Sequence, residues 1–316
     1  RYFIDALATR SAEIEEGTLA SFDGGYANYL AKKEEILASL AKSHETLLKQ
    51  LKAEEEWLRR GVKARLKRNE GRKERVLAMR EEAKKNPGII RRVRLELERA
   101  SKNFNQTQSV NRKKMLFEIK QLSKTIGGKQ LFSGFNARVL QGERIAIVGR
   151  NGSGKSTLLG ILGALSKPSS GEALINGRNV SKLPDIMSSN FRHSEVGFIF
   201  QSFNLLEGLS VYQNVLAPLS LTGLKKAELN SQIEQVLNLA NIAHKKDQIV
   251  SKLSGGEKQR CAIARALAMD PGIILADEPT GNLDTRTSEE IMDLLVEVNR
   301  EGKTVVLVTH EPDIAA

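Results

Sequence analysis

Three short stretches of this 316-residue chain carry side chains at spacings suited to handling phosphate. In Gly149-Arg-Asn-Gly-Ser-Gly-Lys155-Ser156, every fixed position of the pattern G-x-x-x-x-G-K-[ST] is filled. The glycines let successive backbone N–H groups face an anion, and a helix beginning there adds its positive end. Lys155 would reach the β- and γ-phosphates of a nucleotide, and the Ser156 hydroxyl would bind Mg2+. Gly149, Asn151, Gly152, Ser153, Gly154 and Thr157 complete this candidate nucleotide site. The second stretch, Ile273-Ile-Leu-Ala-Asp277-Glu278, is an apolar run ending in two acids. At a phosphate site these offer a metal-side carboxylate, Asp277, and a water-polarising base, Glu278. The third stretch comprises Leu253, Ser254, Gly255, Gly256 and Glu257. Two glycines at a helix start would make another anion nest, with Ser254 as its cap and donor.

These side chains need strands and helices to hold them. Arg144-Ile-Ala-Ile-Val-Gly149 is a short apolar run that suits a buried strand leading directly into the glycine-rich loop, and Thr157 to Leu165 reads as the helix after it. Lys258 to Met269 and Thr304 to Thr309 read as a helix and a strand. From Met115 onward, short apolar strands alternate with helices, the pattern of an α/β fold. Leu229, Ile233, Val236, Leu237 and Ala240 make a helical stripe within residues 207–252.

The first third of the chain has a different character. Residues 1–22 read as a short helix and two strands about Glu16-Gly17, and Gly24-Gly25 breaks the chain. Leu30, Leu37, Leu40, Leu47, Leu51 and Leu58 then fall on one stripe of a long helix. A second helical stretch opens at Val62 and stops at Asn86-Pro87-Gly88, and Val93, Leu95 and Leu97 alternate with charged residues as in a strand. Ser101 to Val110 is a polar linker. The net charge of +11 is concentrated here: residues 1–58 carry −4, residues 59–114 carry +14 and residues 115–316 carry +1. So dense a basic stretch is a candidate polyanion-binding arm. The chain has one cysteine, Cys261, which excludes an intrachain disulfide and any multi-cysteine metal site. No apolar run approaches the roughly 18–20 residues of a membrane-spanning helix, so a cytoplasmic protein is expected.

Together these motifs make residues 115–316 resemble an ATP-binding cassette (ABC) ATPase. The resemblance implies a P-loop nucleotide-binding domain with a helical subdomain, and ATP and Mg2+ as cofactors; the helical stretches ahead of it read as an α-helical hairpin arm, two antiparallel helices with a basic tip and a return strand. It also implies further site residues. Gln201, in Phe198-Ile-Phe-Gln-Ser, matches the Q-loop glutamine that touches the metal, Asn282, Leu283 and Asp284 match the D-loop, and His310 matches the switch histidine at the γ-phosphate. An aromatic residue usually stacks on adenine where Ile126 stands here. Such sites form between the phosphate loop of one cassette and the LSGG segment of another, so a second cassette is an implied partner.

Two subfamilies are resembled in turn. Arg1-Tyr-Phe-Ile-Asp, Glu55-Glu-Trp-Leu-Arg-Arg-Gly-Val-Lys-Ala-Arg and Asn69-Glu-Gly-Arg look like the inter-cassette linker of Uup-like ABC-F proteins, whose arm enters the ribosome. That reading makes residues 1–25 the tail of a preceding cassette, residues 26–110 a basic linker arm, and residues 111–316 a nucleotide-binding domain truncated at its C-terminus. Gly160 to Gly171, Gly197 to Leu206 and Asp277-Glu-Pro-Thr-Gly-Asn-Leu-Asp284 instead resemble ATPase subunits of lipoprotein-release and macrolide-export transporters. ABC-F cassettes usually read Glu-Pro-Thr-Asn-His-Leu-Asp at the last segment. The change falls around Asn151 to Leu159, so the chain reads as a mosaic. The main expectation is an ABC-F-like ATPase with the ribosome or RNA bound through residues 59–114. The alternatives are a transporter ATPase on a membrane permease, at the inner face of the membrane, and a nucleotide-gated nucleic-acid clamp.

Overall fold

The computed structural model describes residues 8–15, 18–25, scattered positions between 28 and 54, residues 74–78 and residues 114–309. The chain divides into two units, one formed by Arg1–Tyr26 with Ser109–Ala316 and the other by Ala27–Gln108.

In the larger unit, β5 (Arg144–Gly149), β9 (Ile273–Asp277) and β10 (Thr304–Val308) are nearly continuous runs of Ile, Val, Leu and Ala, and almost all of their residues are buried. Strands this apolar on both faces belong in the middle of a parallel sheet covered on both sides. With β8 (Val196–Ile199) they pair in parallel, in a six-stranded sheet of order β2-β1-β5-β10-β9-β8. β1 (Arg10–Glu15) and β2 (Thr18–Asp23) are the two strands expected about residues 16 and 17. The strands read as the tail of a preceding cassette are paired here with this chain's own sheet, β1 running parallel to β5.

β3 (Met115–Ile126) and β4 (Lys129–Leu140) form a long hairpin, joined in a four-stranded antiparallel sheet by β6 (Ser170–Ile175) and β7 (Arg178–Asn179). Its turn, Gly127-Gly128, has positive φ at both residues, as a two-residue hairpin turn of this hand requires. One apolar cluster fills the space between this sheet and α1 (Lys155–Leu162), with Phe117, Phe132, Leu158 and Val308 among its members. α1 ends three residues before the expected Leu165. Gly163 caps it, and a Cβ there would lie 1.9 Å from the Phe198 ring, so the chain turns where it passes beneath β8.

A second apolar cluster holds α3 (Val211–Leu219), α4 (Lys226–Leu239), α5 (Gly255–Leu267) and α6 (Thr285–Arg300) together. α2 (Asp185–Glu195) lies outside it, before β8. The expected stripe is seen in α4 and its cap: Ile233, Leu237 and Ala240 are buried, while Leu229 and Val236 pack at the margin.

In the smaller unit the described positions between 28 and 54 are helical, as are residues 74–78. The Lys33 ammonium donates to the Tyr29 hydroxyl at 3.0 Å, one helical turn away. The expected strand at Val93 to Leu97, the linker and most of the basic segment lie outside the described residues.

Candidate functional site

The glycine-rich loop leaves β5 and enters α1 with three left-handed or near-extended glycines, Gly149 at φ +152°, Gly152 at +76° and Gly154 at +101°. Two of these glycines are also dictated by space. A Cβ on Gly149 would lie 2.5 Å from the Ile14 carbonyl oxygen, and one on Gly154 would lie 3.1 Å from Leu131 of β4. The loop is therefore held between the β1 edge and the β3–β4 hairpin.

Lys155 is only 5% exposed, and its ammonium donates to the carbonyls of Gly149 at 2.5 Å and Arg150 at 3.2 Å. These bonds curl the loop around its own cation. Ser153 Oγ is buried and finds no hydrogen-bond partner among the described residues. A buried hydroxyl without a partner costs about 1–3 kcal/mol, a cost that a phosphate oxygen would remove.

β9 brings its two acids to the same place. The Ser156 hydroxyl donates to Asp277 Oδ1 at 3.0 Å, across 121 positions of sequence. Burial pushes the Asp277 carboxyl above its ordinary range; Glu278 adds to the rise, while the Ser156 bond and Lys155 pull it back. Hydroxyl and carboxylate oxygens beside a phosphate loop are the donor set that suits Mg2+, which takes one or two protein oxygens and completes its shell with phosphate and water. The pair fits the ion, and burial of the carboxylate gives it a reason to attract one. Glu278 has φ +47°, unusual for a residue with a side chain, and its N–H donates to the Val308 carbonyl at 2.9 Å. The strain sits at the end of β9, one residue past Asp277.

The Gln201 region joins the segment after Glu278. Asn282 Nδ2 donates to the Gln201 carbonyl at 3.0 Å, and a Cβ on Gly281 would lie 2.8 Å from Gln201 Nε2. Asp284 is the cap of α6, accepting from the Thr287 N–H at 3.0 Å and its hydroxyl at 2.7 Å, bonds that hold its carboxyl below the ordinary range. Leu283 packs against Gly255, so the D-loop touches residues 253–257, the signature segment, of its own chain. His310 lies outside the described residues.

The signature segment differs from the nest expected of it. Gly255 and Gly256 are the first residues of α5 and have no positive φ, so the donors they offer are those of a helix N-terminus. Ser254 Oγ accepts from the Glu257 N–H at 3.3 Å, and Glu257 accepts from the Ser254 N–H at 2.8 Å, a reciprocal capping box. Leu253 is buried beneath it. Ile126 ends β3 at the hairpin tip, 53% exposed. Cys261 is fully buried, and burial pushes its thiol up to about 12, which suits packing.

One positioning residue escaped the sequence. Arg265 of α5 donates to the carbonyls of Asn204 at 2.6 Å and Phe203 at 3.0 Å, both residues in left-handed conformation just after Gln201. The signature helix thus holds the Gln201 loop. Only the two strained residues it clamps could have flagged it, and backbone angles are not visible in a sequence.

Two family models, both described as ABC transporter, match residues 132–281 and 12–95. The lipoprotein-releasing system ATP-binding protein LolD of Geobacter metallireducens is 41% identical over 206 residues, which is 64% of this chain and 92% of that protein. The macrolide export ATP-binding/permease protein MacB of Chlorobium luteolum is 48% identical over 183 residues, 58% of this chain but 27% of that protein, so the chain spans about a quarter of it. Among solved structures, the dimeric structure of MJ0796, a bacterial ABC transporter cassette, superposes with a TM-score of 0.58 at 40% identity, covering 62% of this chain and 88% of that one. A dimeric post-hydrolysis state of the same cassette, bound to ADP and Pi, gives 0.57 at 38% identity, with the same coverage of both chains. The likeness of these proteins is to the transporter side of the sequence expectation; they lend no support to the ABC-F and ribosome side.

Proposed function

The chain belongs to the ABC transporter ATPase family, and from that premise we propose that it is the ATP-hydrolysing subunit of an exporter of the lipoprotein-release or macrolide-export type, working as a cassette pair under a membrane permease. The observation that carries the permease reading is the turn between α3 and α4, where Leu221 is 83% and Leu224 38% exposed on the layer that residues 207–252 add to the ATPase core. Large apolar side chains left in water at a helix–helix turn suit a partner surface. No helix among the described residues is long and apolar enough to cross a membrane.

At the site, Lys155 and the loop N–H groups hold the phosphates of ATP. Ser156 and Asp277 hold Mg2+, which supplies neutralisation of the charge that develops on the phosphoryl oxygens. Glu278 accepts a proton from the attacking water, whose oxygen bonds to the γ-phosphorus as the bond to the β–γ bridging oxygen breaks, giving ADP and phosphate. Gln201 and His310 position that water. Ser254, with the α5 N-terminus, donates to the γ-phosphate held by the other cassette of the pair.

The test is co-purification of the tagged chain with membrane proteins. The pair Leu221→Glu and Leu224→Glu is expected to abolish it while leaving basal ATP hydrolysis in place; retention of the membrane partner by this variant would overturn the reading. The ribosome reading keeps one specific support, the +14 charge of residues 59–114. It predicts instead ATP-dependent sedimentation with ribosomes, insensitive to the two leucine changes and steeply weakened by salt.

A further inference from the structure

The phosphate loop has a neighbour that none of its motifs announces. β1 runs parallel to β5 in the register Arg10 to Ile145 through Ile14 to Gly149, so its last paired residue stands opposite the first glycine of the loop. The Ile14 carbonyl occupies the space where a Gly149 side chain would be, with Ser153 Oγ 2.9 Å from that same point on the loop side. Ile14 itself is buried in the cluster that contains Ile147, Leu158 and Val308. The wall behind the phosphate loop is therefore made by residues more than 130 positions upstream.

The hairpin is fastened at its other end as well. Arg10 is 7% exposed, and its guanidinium donates to the Arg138 carbonyl at 2.9 Å and to Glu143 Oε2 at 3.3 Å. Glu143 Oε2 also accepts from the Leu140 N–H at 3.0 Å, so this ion pair ties β1 to the turn between β4 and β5. Thr9 N–H donates to the Arg144 carbonyl at 3.1 Å, Gly24 N–H donates to the Thr9 carbonyl at 3.0 Å, and β2 lies along β4. A two-stranded hairpin alone is marginal in water, so this one owes its structure to the β5 edge.

We propose that the β1–β2 hairpin is a positioning element of the nucleotide site: docked on β5 by Arg10, it sets the course of the loop at Gly149 through the Ile14 carbonyl, and nucleotide in turn holds the hairpin shut. The dependence is reciprocal, because two events that favour the same state favour each other equally. It also gives the arm a connection to the site, because residues 27–108 begin four positions after Asp23, where β2 ends. A force or ligand that peels β2 away loosens the wall of the phosphate loop. This inference depends on nucleotide binding and not on which partner the ATPase serves.

Amide hydrogen exchange of the full chain, free and saturated with MgADP, tests it. If the open hairpin cannot support the nucleotide, exchange through that opening slows by the factor by which ligand favours the closed form, about 100-fold at a ligand concentration of 100 times Kd. The expected result is slowing of that order in a peptide spanning residues 10–15, alongside protection of residues 149–157 as the sign that ADP is bound. Unchanged exchange at residues 10–15 with the loop protected overturns the proposal. So does exchange of the hairpin only in step with α6, because it then has no opening of its own for nucleotide to close. Arg10→Met separates positioning from mere stability. It is expected to weaken ADP binding about tenfold, within the usual span of coupling between sites, with Arg10→Lys recovering part of the loss. A lowered melting temperature with unchanged ADP affinity of the folded chain would reduce Arg10 to a structural role.

Discussion

The two segments proposed to meet phosphate are built in opposite ways. The phosphate loop carries its own cation, and Lys155 lies buried against the loop carbonyls with three positive-φ glycines around it. The signature segment has no lysine between Leu253 and Glu257, and the N–H groups of Ser254 and Glu257 are taken up by its own capping box. A loop with an internal charge at a helix start can bind phosphate alone. A capped helix end, worth a few tenths to about 1 kcal/mol toward an anion at an exposed site, binds usefully only where something else has already placed the anion. In the pairing proposed above, the contrast gives a physical reason why one copy of each device would suit a pair of chains: each phosphate loop would hold a nucleotide, and each signature helix would complete the other's site.

The sharpest test of the contrast removes chemistry without touching either device. Glu278→Gln should lower ATP turnover about 10³-fold, in the span usual for a lost general base, while ATP titration finds affinity unchanged. Substantial residual turnover would remove Glu278 from the role of base. Lys155→Ala strikes the loop itself. Losing its charge-assisted bonds to phosphate should weaken ATP binding by the isolated chain about 100-fold, measured by calorimetry. A small loss would mean that the backbone donors carry the site and the loop is less unlike the signature helix than its lysine suggests.

Ser254→Ala makes the complementary change. Binding of ATP to the isolated chain should stay within about twofold, turnover should fall on the order of 10- to 100-fold as one donor to the transferred phosphoryl group is lost, and unfolding free energy should drop by about 1 kcal/mol with the cap. Weakened ATP binding by the isolated chain would break the division of labour argued above. The same box responds to acid. The Glu257 carboxyl is held below its ordinary value, first by the Ser254 N–H. A carboxyl depressed on folding adds stability above its unfolded value and loses it as pH falls through the folded one. Exchange of the first turn of α5 should accordingly accelerate below the normal carboxylate range, and Glu257→Gln should remove that pH dependence.

How much of this was legible before the structure differs between the same regions. The phosphate loop, the acids of β9 and the capping pair Ser254 and Glu257 are local patterns, in which residue types a few positions apart meet because strand and helix geometry leaves them no alternative. Long-range partners left no such trace. Arg10 and Glu143, Ile14 and Gly149, and Arg265 and Phe203 meet across 60 to 135 positions, and nothing in either segment names the other. The two strands at 10–23 were readable as strands, whereas the sheet they joined was not. The signature glycines show the opposite error. Their type suggested an anion nest, but in the first helical turn neither has positive φ. Small size is what counts at Gly256, where a Cβ would approach Thr287 to 2.5 Å.

The smallest effect concerns the β3–β4 hairpin beside the phosphate loop. Leu131 and Phe132 of β4 crowd Gly154, and Ile126 stands half-exposed near the tip of the same hairpin. An isoleucine can offer a base apolar contact but no stacking. An aromatic side chain stacked on a base is worth about 1–3 kcal/mol, so Ile126→Tyr should tighten ATP binding about fivefold or more. The gain should appear equally for ADP and should be absent for tripolyphosphate, which has no base to stack. Unchanged affinity for ATP would move the base away from this hairpin. A gain for tripolyphosphate as well would mean that the tyrosine acts on the loop and not on the adenine. In either case turnover at saturating ATP should stay the same, because stacking holds substrate and transition state alike and uniform binding does not lower the barrier between them.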